Sequence, residues 1–184
     1  MPLLQRDLHQ RLHDDAGTLH DRVATLARGL DPERLVRRPA EGGWSVGEVL
    51  EHLCVADEVY AKPLATLLHR AHVDAGAPMR EWKPTMLGKF MAQMLEKPRR
   101  LRAPRVLRPG PTPRNGVVED FLTRDTRLRH RMDDSTSLDW QDLRLYPPSI
   151  PLPILKLNVG DVFNIHVIHV RRHLAQMERI VAAQ

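Results

Sequence analysis

The last stretch of the chain, from Asn158 onward, carries one apolar stripe at helical spacing, and three histidines lie within that stripe. At 100° per residue, His166, His169 and His173 fall inside an arc of about 60°, among Val159, Val162, Met177 and Ile180. A stripe of this kind is the face that a bundle helix turns toward its neighbours. Imidazoles carried inward need partners, because a buried polar group left unpaired costs free energy. Any fold that accepts this helix must therefore offer them hydrogen-bond partners or a metal ion.

The rest of the chain supplies further helices of the same type. From about Leu3 to Leu30 the apolar positions Leu4, Leu8, Leu12, Leu19, Val23, Leu26 and Leu30 follow an i, i+3, i+4, i+7 rhythm, and Gly29 and Pro32 mark the end. Ser45-Val-Gly-Glu48 matches a capping box and opens a helix to about Ala71, with Pro63 expected to kink or divide it. Trp82, Met86, Leu87, Phe90, Met91, Met94 and Leu95 suit a short helix, with packing preferred over a substrate-pocket lid as the role of its Met and Phe residues. Val117 to about Met132 suits a longer helix. A loop, Tyr146 to Pro153, leads into the last helix. No repeat and no strand pattern is evident. The expectation is an all-α four-helix bundle with long connections, forming a single domain over residues 1–184.

Composition narrows the function classes. The 184 residues are 42% hydrophobic, enough for one core, and the single cysteine, Cys54, rules out an internal disulfide. No apolar leader pattern follows the N-terminal Met-Pro-Leu-Leu-Gln-Arg-Asp, and no run is long enough for a membrane span. A cytoplasmic protein with no membrane partner is the expectation. The net charge of +5 raises the question of nucleic acid. Much of the excess sits in Lys97–Arg114, where Arg99, Arg100, Arg102, Arg105, Arg108 and Arg114 occur with no acid and with five prolines. Such a stretch cannot lie in a groove as one helix, and it has no aromatic side chain to stack on bases. It reads as a solvated basic loop, with an anionic substrate or acidic partner as the alternative, and nucleic acid is disfavoured.

His169 and His173, four residues apart on a helix, project one above the other and can reach one ion, provided that another element supplies a third ligand. His52 lies one and a half turns into the second helix, at the edge of its inward stripe. Taken alone it reads as a hydrogen-bonded packing histidine rather than a ligand. His9, His13 and His20 flank the apolar stripe of the first helix and read as its polar edge. Cys54 points to another face than His52 and is given no role.

Trp44-Ser45-Val-Gly-Glu48-Val-Leu-Glu-His52-Leu, together with His169-Val-Arg-Arg-His173-Leu-Ala-Gln176-Met, resembles the DinB-like (DinB/YfiT-like) superfamily of metal-dependent enzymes. The resemblance implies a four-helix bundle holding one divalent ion on three histidines, here His52, His169 and His173. It implies a small-molecule substrate, since relatives include thiol S-transferases and a mycothiol-dependent maleylpyruvate isomerase. A thiol-dependent S-transferase, isomerase or hydrolase is therefore the leading class, and a homodimer is a further analogy. Three imidazoles and a water form the open arrangement of catalytic sites, while a structural site needs a fourth protein ligand. With no thiolate in the set, zinc, nickel and iron all remain candidates. Glu48, Asp57 and Gln176 are candidates to hold the ligand rings from behind, although the helix cap competes for Glu48. His166 stands as fourth ligand, proton shuttle or core histidine, the last preferred. The alternative function is a non-catalytic metal- or ligand-binding bundle, such as a stress-related accessory protein. The arginine-proline stretch and His166 have no counterpart in the family pattern.

Overall fold

The computed structural model describes residues 2–97, 102–150 and 155–184. Its first helix, α1 (Gln5–Arg28), buries Leu8, Leu12, Leu19 and Val23 along one face and stops at Gly29. Asp31 then caps the short α2 (Pro32–Val36) by accepting the Arg34 N–H. The capping box expected at Ser45 is present. Ser45 Oγ accepts the Glu48 N–H at 3.2 Å, the Glu48 carboxylate accepts the Ser45 N–H at 2.9 Å, and α3 (Val46–His69) follows. Pro63 lies inside α3 without dividing it. The middle segment forms α4 (Met86–Glu96), with Thr85 as its cap. The remaining helices are α5 (Val117–Asp134) and α6 (Val159–Ala182).

The four long helices close into a ring. α1 packs on α5 and α6, and α3 packs on the same two, so α1 and α3 lie diagonally opposite. One continuous core fills the ring, with Leu8, Leu12, Leu50, Phe163, Leu174 and Met177 among its fully buried side chains. α4 stands outside the ring, against α6. The chain is thus all-α in its architecture, as the periodicity predicts.

One small element escapes the sequence reading. Arg144–Leu145 (β1) pairs antiparallel with Leu157–Asn158 (β2). Two residues per strand are too few to show an alternation, so no strand pattern is visible beforehand. The ladder matters because β2 runs directly into the cap of α6. Asn158 Oδ1 accepts the Asp161 N–H at 2.7 Å and the Trp82 indole N–H at 3.0 Å, while its amide donates to the Lys83 carbonyl at 2.9 Å. Asp161 completes a second capping box and also accepts from the Thr85 N–H and hydroxyl. This buried junction sets where α6 begins and fastens the entry of α4 to it.

The basic stretch is not uniformly solvated, contrary to expectation. Arg114 folds back to meet Glu51 and Glu58 of α3 and Asp120 of α5, at 2.7–2.8 Å. Glu51 and Glu58 lie more than fifty residues away and Asp120 just beyond the stretch, so counting acids within it could not reveal them. Arg99 and Arg100 lie outside the described residues, as does the 151–154 part of the last loop. Among the described residues, no helix is long and apolar enough to cross a membrane.

Candidate metal centre

The structure brings His52 of α3 and His169 and His173 of α6 together on adjacent helices. The Nε2 atoms of His52 and His169 are 3.0 Å apart, as are those of His169 and His173. One ligand atom from each of the three lies within 4.8 Å of the others. Three nitrogens around a tetrahedral zinc at ordinary bond lengths stand about 3.3 Å from one another, so this spacing fits one shared ion.

Two of the rings are held from behind by oxygen acceptors. His52 Nδ1–H donates to the Leu107 carbonyl at 2.5 Å, and His173 Nδ1–H donates to the Gln176 side-chain oxygen at 2.9 Å. An oxygen acceptor at Nδ1 places the proton there and leaves Nε2 with its lone pair facing inward. Hydrogen bonds alone therefore satisfy the cluster poorly, because a single imidazole N–H at His169 cannot serve both neighbours well. A divalent cation would accept all three lone pairs.

The electrostatics agree. Burial lowers the pKa of His52, with the Leu107 carbonyl opposing it. Burial, followed by repulsion from His173 and His52, holds His169 well below the ordinary histidine value. His173 falls to about 3 for the same leading reason. All three rings are therefore neutral at physiological pH, the form that binds metal without first releasing a proton. Trp44, one residue before the α3 cap, packs its ring 5.0 Å from that of His52 and 6.5 Å from that of His173, closing one side of the cluster.

On another side the cluster opens into a cavity of about 1340 Å³. Leu87, Phe90, Met91 and Met94 of α4 form an apolar wall, with Ile165 and Ile168 of α6 contributing. These α4 residues were expected to pack. Leu87 and Met91 do lean on the core, but Phe90 is 61% exposed, and Leu87, Phe90, Met91, Met94 and Leu95 line the cavity, the lid-like role that the sequence reading held as its alternative. Lys97, Arg102 and Arg108 stand on the cavity's border.

The supporting residues divide into those that reach the rings and those that do not. Gln176 reaches one. Glu48 does not: its carboxylate serves the helix cap and pairs with Arg38. Asp57 is turned to Arg124 at 3.3 Å. His166 is engaged elsewhere, since its Nε2–H donates to Asp125 at 3.0 Å, and the other oxygen of that carboxylate accepts from His20 at 2.9 Å. His166 is half-buried and borders the cavity, so it is not the fully enclosed core histidine that the sequence reading preferred. Cys54 is buried, and that burial pushes its thiol up to about 12. The Leu107 carbonyl was not foreseeable, because any residue has one. Trp44 did carry a signal, an aromatic residue just outside a helix cap on the ligand-bearing element.

The family model of the DinB superfamily matches residues 17–177. The chain belongs to the DinB superfamily. The match takes in His52, His169 and His173, so the resemblance extends well beyond the two short motifs. Comparison with curated proteins and with solved structures gives no match to this DinB chain.

Proposed function

We propose that this DinB-superfamily chain is a metal-dependent enzyme in which His52, His169 and His173 hold one divalent ion, zinc, nickel or iron, at the wall of the cavity. The observation that carries the reading is the pairing of a three-imidazole cluster with an open, partly apolar cavity. Among the described residues no fourth His, Cys, Asp or Glu joins the cluster. A structural site would need that fourth ligand, and His166, the nearest candidate by sequence, is bound to Asp125.

A divalent ion held by His52, His169 and His173 would supply Lewis acidity, lowering the pKa of a thiol or water beside it. The chain's own residues do the rest. Leu107 and Gln176 keep two ligand rings in the tautomer that presents Nε2. Trp44 shields the cluster from bulk water on one side, and the α4 wall accepts the apolar part of a substrate. Lys97, Arg102 and Arg108 would attract a carboxylate on that substrate. This set supports a thiol-dependent transferase, isomerase or hydrolase acting on a small molecule, with a carboxylate-bearing thiol as the co-substrate to screen first.

The test is the metal content of tag-free protein after extensive dialysis, measured by elemental mass spectrometry beside His52→Ala and His173→Ala variants. One tightly held ion per chain, lost in both variants while helicity survives, is the expected result and opens the thiol screen. A wild-type chain that holds no ion after loading with zinc, nickel or iron at neutral pH would sink the reading.

A further inference from the structure

A second group of ligand-type side chains lies away from the cavity, where α1 meets the C-terminal end of α5. His9 and His13 have the same four-residue spacing as His169 and His173, so their rings lie side by side along one face of α1, 5.8 Å apart and tilted. Both rings aim at a single oxygen. His9 Nε2 is 2.8 Å and His13 Nδ1 is 2.9 Å from Asp133 Oδ1. One ligand atom from each of the three lies within 4.8 Å of the others. No residue of this group belongs to the three-histidine cluster or lines the large cavity.

Three features suit the group to a cation. The His9 ring stands edge-on against Trp140 at 6.0 Å, and Trp140 is fully buried, so the ring is held by packing as well as by its hydrogen bond. Asp133 and Asp134 form the last two residues of α5, where the helix carbonyls add partial negative charge. The group is also accessible, with side-chain exposures of 21% for His9, 39% for His13 and 37% for Asp133, so an ion could enter with its waters.

We infer that His9, His13 and Asp133 form a second divalent-metal site, one that takes a borderline ion such as zinc and leaves its remaining positions to water. Two imidazoles and a carboxylate suit zinc, nickel or copper rather than calcium or magnesium. With three protein ligands and partial exposure, this site exchanges its ion more readily than the buried cluster and empties during dialysis. Because its ligands come from both α1 and α5, the ion links two helices of the ring and acts on the fold, independently of any reaction in the cavity.

Zinc uptake by the full chain, measured by equilibrium dialysis and elemental analysis at saturating free zinc, tests this directly. Wild-type protein should bind one ion more than either His13→Gln or Asp133→Asn. His13→Gln keeps a side-chain donor for Asp133, so that a loss of uptake is not a loss of packing, and circular dichroism checks helicity in each variant. A His52→Ala/His173→Ala chain should still take up one ion, lost again when His13→Gln is added. Unchanged uptake in His13→Gln and Asp133→Asn overturns the inference. So does a helical His52→Ala/His173→Ala chain that binds no zinc. Failure of the three-histidine site reads out separately, as the absence of a dialysis-resistant ion in wild type.

Discussion

Gln176 and the Leu107 carbonyl decide what two of the clustered histidines can do, because each fixes a proton on the outward nitrogen. Replacing Gln176 with Leu removes the side-chain acceptor of His173 without touching the inward nitrogen. Partners of this kind contribute about 10–100-fold to metal affinity. Competition against a chromophoric chelator should show a loss in that range with helicity unchanged, and an unaltered affinity would mean that the His173 tautomer is set elsewhere. Asp125 is the other decisive residue. Burial alone would raise its pKa, but hydrogen bonds from His166 and His20 outweigh it and hold the carboxyl at about 2, against an ordinary 3.8. A carboxylate with a depressed folded pKa stabilises the fold above its unfolded value, and that stability is lost as pH falls toward the folded value. The difference corresponds to about 2 kcal/mol. Urea midpoints of wild type and Asp125→Asn should differ most above about pH 4 and converge as pH falls toward about 2. A gap that stays constant across that range would assign the stability to packing.

At the scale of elements, the start of α6 is the junction on which the site's geometry rests. Gly160 lies so close to the Trp82 indole that an added Cβ would collide with its Nε1, and one at Gly88 would collide with the Asp161 carboxylate. Either contact would push α4 and its preceding segment away from α6. Overpacking of this sort costs about 1–3 kcal/mol. Gly160→Ala should therefore lower the unfolding free energy from urea titration by that amount, and a variant as stable as wild type would show that the indole can shift freely. The same junction carries the α4 wall, so the substitution should also alter ligand binding in the cavity while leaving any metal uptake by His52, His169 and His173 unchanged.

At the scale of the whole molecule, the three-histidine cluster ties α3 to α6, two neighbours in the ring whose ligands lie more than a hundred residues apart. An ion that binds only the folded chain stabilises it by about 2.7 kcal/mol when its free concentration is a hundred times Kd. For a domain of this size that is roughly 5–10 °C in Tm. In a His13→Gln background, so that the α1–α5 group takes no part, zinc should raise Tm by that order, and His52→Ala should abolish the rise. Equal rises in both would place the stabilising ion outside the cluster.

The long helices, the Ser45 cap of α3 and the inward turn of His169 and His173 were legible in the sequence, because amphipathic spacing and a capping box are local: each is decided by residues within a few positions of one another. The pairing of His52 with the α6 histidines was legible only through family resemblance, since nothing in the spacing says which face of α3 meets α6. Tertiary structure decided the rest. His166 shares the stripe of His169, yet Asp125 of α5 holds it away from the cluster. Glu48 and Asp57 are well placed by helical position but are taken by Arg38 and Arg124. The His9–His13–Asp133 group reads as a polar edge until α5 brings its carboxylate across from the other end of the chain. Partners of buried polar groups are chosen by distance in space, and a linear pattern records only distance along the chain.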